Sequence, residues 1–264
     1  MYDREVASRS TCAGEHEIGL PGWGMCAITD TGRVRPHNED SLALMPKERT
    51  ALLADGMGGH MAGEVASRIA VDAAADFLSR GAFRGQRLQD QVLHACRIAH
   101  EAVMSAAKGD DRLSGMGTTL VVARFQGRRL AVAHLGDSRA YRWRHNRLVQ
   151  LTRDHSLAEE LLRRGMLDTE EAARSLHRHT LTRAAGIEPG AEPDVHLQRW
   201  QPGDRYLLCS DGLSNAVSDG EIASLLMEDR DSLGDSLARL VDTANRNGGP
   251  DNISAILIQT GVPE

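Results

Sequence analysis

The chain is predicted to be an α+β protein in which two β-sheets pack face to face with helices outside. Three observations predict it. Apolar runs of strand length and amphipathic runs of helix length come in blocks (strands, two helices, strands, helices, a last strand) and do not alternate singly. The run Leu130-Ala131-Val132-Ala133 is apolar on both faces, which suits a sheet covered on both sides. No Gly-x-Gly-x-x-Gly follows a first strand, so a dinucleotide-binding fold lacks its signature.

The elements follow in order. Residues 1–20 carry several charges and no apolar signal-peptide core, so they are expected to be an irregular lead-in. A single domain is expected over 21–262. Residues 24–29 read as its first strand. Residues 41–45 and 49–54 flank Pro46 as a hairpin. A Gly-rich turn from Asp55 to Gly63 then leads into a helix over 64–79, with Glu64 in its electropositive first turn. A second helix over 87–108 is expected to bury Val92, Cys96, Ala99 and Val103. Strands are expected at 118–125, 129–135 and 139–143, turned at Gln126-Gly127 and Gly136-Asp137. Residues 155–173 read as helical with a break at Gly165, and 174–193 as an irregular, mobile surface segment. Strands at 195–200 and 205–209 are separated by Pro202-Gly203-Asp204. Helices at 219–227, with Asp219 as N-cap, and at 233–245 precede a final strand at 253–260.

Composition bounds the function. With 264 residues the chain can bury a sizeable core. Aromatics are only 3%, so that core must rest on Leu, Val, Ile and Ala. A net charge of -6 argues against general nucleic-acid or anionic-membrane binding, although Arg142, Arg144, His145 and Arg147 form a local basic rim. No apolar run reaches the length of a membrane span. Cys12, Cys26, Cys96 and Cys209 form no Cys-x-x-Cys pair. They are expected to be reduced thiols of a cytoplasmic protein, and a cysteine zinc site is not expected.

The chemistry lies where acids interrupt apolar strands. Leu52-Leu53-Ala54 runs into Asp55-Gly56, Leu207-Leu208-Cys209-Ser210 into Asp211-Gly212, and Ala133-His134-Leu135-Gly136 into Asp137-Ser138. Asn38-Glu39-Asp40 and Pro250-Asp251-Asn252 each precede a strand. One Asp-Gly alone is an ordinary turn. Five acidic strand ends brought together would repel one another severely unless divalent cations removed the penalty. The candidate ligands are all oxygens, which suits Mg²⁺ or Mn²⁺.

These residues carry a resemblance. Arg35-Pro36-His37-Asn38-Glu39-Asp40, Asp55-Gly56-Met57-Gly58-Gly59-His60, Gly115-Met116-Gly117-Thr118-Thr119 and Gly136-Asp137-Ser138-Arg139 occur in turn. Leu151-Thr152-Arg153-Asp154-His155-Ser156, Leu181-Thr182-Arg183-Ala184, Ser210-Asp211-Gly212-Leu213 and Gly249-Pro250-Asp251-Asn252 follow. The ordered set resembles the metal-dependent protein phosphatases of the PPM (type 2C) class, and specifically their compact bacterial members.

The resemblance implies a four-layer α/β/β/α sandwich of two central antiparallel sheets flanked by helices, with a binuclear metal site at one end. It implies two tightly bound Mn²⁺ or Mg²⁺ ions and a weaker third. Asp55 would bridge the pair, Gly56 would offer its backbone carbonyl, and Asp211 and Asp251 would complete the first site. Glu39 would sit beside the second, and Asp40 would steady the ligand shell by hydrogen bonding. Asp137 would share the third ion with Asp211, and Arg35 would bind phosphate. A flap would cover residues 156–193.

The implied reaction is hydrolysis of phosphoserine and phosphothreonine in proteins by a metal-bridged water, reversing a bacterial Ser/Thr kinase. That kinase and its substrates would be the partners of a monomer, without nucleic acid or membrane. Met57 stands where many eukaryotic relatives have a proton-donating His. His60 is therefore either an acid or a structural residue of the Gly-rich turn. The competing reading is an inactive binding or sensing module of the same fold, which would usually have lost its metal acids.

Overall fold

A computed structural model describes residues 11–14, 21–58, 62–81, 83, 85–227 and 232–261. Two antiparallel sheets form its centre. The first runs in the order β1 (Thr11–Ala13), β2 (Gly24–Asp30), β12 (Ile253–Gln259), β11 (Arg205–Cys209), β8 (Arg139–Arg144), β9 (Arg147–Gln150). The second runs β10 (Asp194–Arg199), β7 (Arg129–Leu135), β6 (Leu120–Gln126), β4 (Thr50–Met57), β3 (Asp40–Met45), with β5 (Gly117–Thr118) paired to the end of β4.

Helices cover both outer faces. α1 (Ala62–Ser79) and α2 (Leu88–Gly109) lie on the second sheet, where Ala66, Ala70, Ala74 and Val92 meet Leu52, Val122 and Ala131. The small side chains along α1 let its backbone approach the sheet closely. The short α5 (Asp211–Ser214), α6 (Asp219–Leu226) and α7 (Leu233–Arg246) cover the first sheet through Leu213, Ile222, Leu237 and Leu240. Between the sheets, Trp23 meets Phe125 and Trp200 edge-on, with ring centroids 5.2 and 5.1 Å apart. Such pairs add to the area they bury. The α+β sandwich predicted from the order of elements is the one observed.

Several expectations are corrected. The lead-in is not irregular at residues 11–13, which pair with β2. Cys12 and Cys26 are not reduced thiols: they stand opposite each other across that pairing and form a disulfide, while Cys96 and Cys209 are free and buried. Asp219 is not the N-cap of α6. Ser218 caps it, in a reciprocal box with Glu221, and Asp219 accepts a hydrogen bond from the Tyr141 hydroxyl at 3.0 Å. The basic rim is the tip of the β8–β9 hairpin, with His145 and Asn146 both at positive φ, and Arg144 is clamped by the buried Asp204 through two 2.6 Å bonds.

The helical reading of 155–173 with a break at Gly165 corresponds to α3 (Leu157–Arg163) and α4 (Thr169–Arg174), whereas 174–193 is not irregular throughout, since it holds a 3₁₀ turn at Leu176–His179. The isolated bridge Ser156–Leu181 closes the 156–193 segment on itself, and Thr118–Ala185 ties it to β5. Met57 and Met116 are packing residues, Met116 fully buried and Met57 against Gly117.

Candidate metal centre

Chain geometry brings the acids to one rim. Asp40 opens β3 and pairs in register with Asp55 at the far end of β4. The Gly56 N–H donates to the Glu39 carbonyl at 3.1 Å. A Cβ on Gly56 would lie 2.1 Å from the Gly63 carbonyl oxygen, so this strand end can touch the start of α1 only without a side chain. Gly63 in turn leaves room for the Glu39 carboxylate, whose Cδ would be 2.8 Å from a Cβ there. Glu39 therefore sits against the electropositive end of a helix.

The other sheet supplies Asp211, the first residue of α5 directly after β11, and Asp251, in the turn before β12. A Cβ on Gly212 would lie 2.0 Å from the Asn252 carbonyl oxygen, so these two acidic turns abut. Asp137 follows β7 through Gly136, which has φ +97° and no space for a Cβ beside Thr119.

Three organising residues were not singled out from sequence. Asn252 accepts from the Glu39 N–H at 2.9 Å and donates to the carbonyls of Thr31 and His37. It thereby ties the Arg35 loop to the Asp251 turn. The Thr119 hydroxyl takes the Asp55 N–H at 2.9 Å and meets the Ser138 hydroxyl at 2.7 Å, joining the Asp55 strand to the Asp137 turn. The quoted motifs contained these residues, but a hydroxyl or amide that bonds backbone across two sheets leaves no local pattern.

Electrostatics follow from this convergence. Burial, then the charges of Asp40, Asp211, Asp137 and Asp251, push Asp55 well above the carboxylate range. Burial pushes Asp40 to about 7; nearby Ser210 and Ser254 temper the shift, and Asp211 and Asp251 add to it. Burial and then Asp211 push Asp137 to about 7. Burial raises Glu39 against the opposing pull of Arg35.

Arg35 donates to Asp251 at 2.7 Å, and His179 lies 3.5 Å from Asp211 and is raised by that contact. Arg139, two residues after Asp137, forms a structural ion pair: Asp154 holds it through bonds of 2.7 to 3.1 Å. Both Asp40 oxygens are buried with no hydrogen-bond partner among the described residues. An all-oxygen rim of six carboxylates with orphaned oxygens fits hard divalent cations.

The side chains are not drawn into ligand geometry. Among the described residues, the trio of potential ligand atoms lying within 4.8 Å of one another is His134, His155 and Asp194, not the acids of the rim. His60 lies outside the described residues. Cys209 is buried in β11 and its thiol is pushed up to about 12, which leaves it inert as a nucleophile. A cavity of about 320 Å³ opens beside Asp137 and Asp211 and is walled by Ala158, Glu159 and Leu162 of α3.

The "Protein phosphatase 2C" family pattern matches residues 33–258. The chain belongs to that family. The serine/threonine phosphatase stp of Listeria welshimeri is 37% identical over 236 residues, 88% of this chain and 93% of that one. The crystal structure of the Mycobacterium tuberculosis serine/threonine phosphatase PstP/Ppp superposes with a TM-score of 0.84 at 38% identity, covering 91% of this chain and 100% of that one. The catalytic domain of PstP in complex with two manganese ions superposes with a TM-score of 0.81 at 37% identity, covering 91% and 99%. Like its relatives, this phosphatase is an enzyme of the PPM class with two antiparallel sheets flanked by helices.

Proposed function

We infer that this 2C-family phosphatase hydrolyses phosphoserine and phosphothreonine in proteins, using divalent cations held by the acidic rim. The observation that carries the reading is the meeting of Glu39, Asp40, Asp55, Asp137, Asp211 and Asp251 at one rim, with carboxyl groups raised by burial and mutual repulsion. Kinship to phosphatases named for serine and threonine supports the substrate class, and the manganese complex of PstP supports the cation.

Asp55 would bridge two cations, with the Gly56 carbonyl, Asp211, Asp251 and Glu39 around them, and Asp137 and Asp211 would share a weaker third. Asp40 would hold the ligand shell from beneath. When bound, the cations lower the proton affinity of a water that attacks phosphorus and offset the charge of the phosphoryl group. Arg35 would supply two parallel donors to the phosphoryl oxygens, exchanging its Asp251 partner for substrate. The flap formed by residues 156–193 would border the peptide. No covalent phosphoenzyme is required, in keeping with the inert Cys209.

A bacterial Ser/Thr kinase and its substrates are the proposed partners, and the monomer is the proposed state. Among the described residues no helix is long and apolar enough to cross a membrane. A cytoplasmic location is part of the proposal. Turnover of phosphoserine, phosphothreonine and phosphotyrosine peptides with Mn²⁺, Mg²⁺ or EDTA tests the reading. Hydrolysis of the first two that needs cation is expected. No turnover with either metal would leave the inactive module standing.

A further inference from the structure

His134 and His155, both buried, and the half-exposed Asp194 form a cluster that the proposed chemistry does not use. His155 is 2% exposed and its ring stacks on His134 with centroids 4.5 Å apart. Its Nδ1 accepts the Gly136 N–H at 3.2 Å, and its own backbone N–H donates to the Gly136 carbonyl at 3.0 Å. Its carbonyl accepts the Thr182 N–H at 2.8 Å. On the far side of the ring, Nε2 lies 3.4 Å from Asp194 Oδ2, and Asp194 Oδ1 accepts from Arg183 at 2.8 Å.

The proton count decides what this cluster is. A backbone N–H can only donate, so Nδ1 must carry the lone pair. The proton of the neutral ring is then on Nε2, which lies beside Asp194 without closing a hydrogen bond to it. A cation at Nε2 would have to displace that proton and leave an imidazolate, so the trio is poorly made for metal despite its ligand types. It is well made to hold a ring in one orientation. The object so held is the Gly136 turn, whose positive φ and contact with Thr119 fix the path of the chain into Asp137.

We propose that His155, with Asp194 beside its Nε2, is a positioning residue that clamps Gly136 from both sides and so sets where the Asp137 carboxylate stands, coupling it to the root of the flap at Thr182 and Arg183. The proposal rests on the reading of Asp137 as a ligand of the weaker third cation.

Two measurements test it. In cation-free wild-type protein, long-range ¹⁵N–¹H NMR of the imidazoles should find His155 protonated at Nε2 and bare at Nδ1. The opposite tautomer would overturn the clamp. Calorimetric titration with Mn²⁺ should show the tight sites of His155→Phe within about twofold of wild type and the weaker step weakened about tenfold or more, the scale of losses when a ligand's support is removed. His155→Asn, whose Oδ1 can take the place of Nδ1, should recover most of that loss, and Asp194→Asn should fall between.

A merely structural role would weaken tight and weak binding together with thermal stability, and that result would overturn the proposal. A weaker step lost in Asp137→Ala but unchanged in His155→Phe would overturn the clamp alone. A weaker step unchanged in Asp137→Ala would overturn the ligand reading and the clamp with it. Should His155→Phe fail to fold, the Asn variants at 155 and 194 carry the same comparison.

Discussion

Replacing Asp40 by Asn should stabilise the cation-free protein, and by an amount that depends on pH in a defined direction. Asp40 is buried, its two oxygens lack hydrogen-bond partners, and its carboxyl is raised from 3.8 to about 7. A group whose folded value lies above its unfolded value binds more protons when folded. Stability is therefore complete below the unfolded value and falls as pH rises from about 4 to about 7.

The shift of 7 minus 3.8 is 3.2 units, or about 4 kcal/mol as a ceiling at about 1.36 kcal/mol per unit. Relaxation and water penetration reduce such penalties, so about 2–4 kcal/mol is expected at pH 8. Asn carries no charge and escapes this cost. The gain should shrink to less than half by pH 5, where wild-type Asp40 is already largely protonated. For a domain of this size it corresponds to a rise in Tm of roughly 5–10 °C at pH 8. Thermal and urea denaturation of both proteins in EDTA at the two pH values measure it. Mn²⁺ should narrow the gap, because cations relieve in the wild type the repulsion that Asn removes. A variant no more stable than wild type at pH 8 in EDTA, or one whose advantage is independent of pH, would refute the reasoning.

Other expectations follow from the same rim. Asp211→Asn should abolish turnover on a phosphothreonine peptide while circular dichroism shows the fold retained and EDTA-treated stability undiminished. Arg35→Ala should reduce kcat/KM by roughly 30- to 1000-fold, from about 2–4 kcal/mol of lost charged contact, with Arg35→Lys recovering part and calorimetric affinity for the tight cations nearly unchanged. A loss under threefold would mean that Arg35 serves only as the partner of Asp251. Reduction of the Cys12–Cys26 bond should speed amide exchange in β1, because three residues of pairing hold poorly without the link, and should leave phosphatase activity within about twofold.

The layers were legible because periodicity and block order depend on local sequence. Residues 129–135 and 205–209 were read to the residue, since each is an apolar run closed by a turn. The acids of the rim were legible because each interrupts such a run beside Gly, Ser or Asn. What failed was set by long-range geometry. The Cys12–Cys26 link depends on β1 pairing with β2, and three polar or small residues at 11–13 give no strand signal of their own. Ser218 and Asp219 are both good caps, and the hydroxyl of Tyr141 from another strand takes up Asp219. His134 lies on an apolar strand, where its Nε2 meets the Arg153 carbonyl at 2.7 Å. Its stacking on His155, 21 positions away in sequence, had no local trace.

The central claim is that the six carboxylates exist to hold cations that make the hydrolysis possible. Calorimetric titration of Mn²⁺ into EDTA-stripped, dialysed protein, with hydrolysis of a phosphothreonine peptide followed at each addition, tests it most directly. The account predicts two tight equivalents, activity that rises as they fill, and loss of both in Asp55→Asn. Full activity in the stripped protein, or activity without tight cation binding, would contradict it.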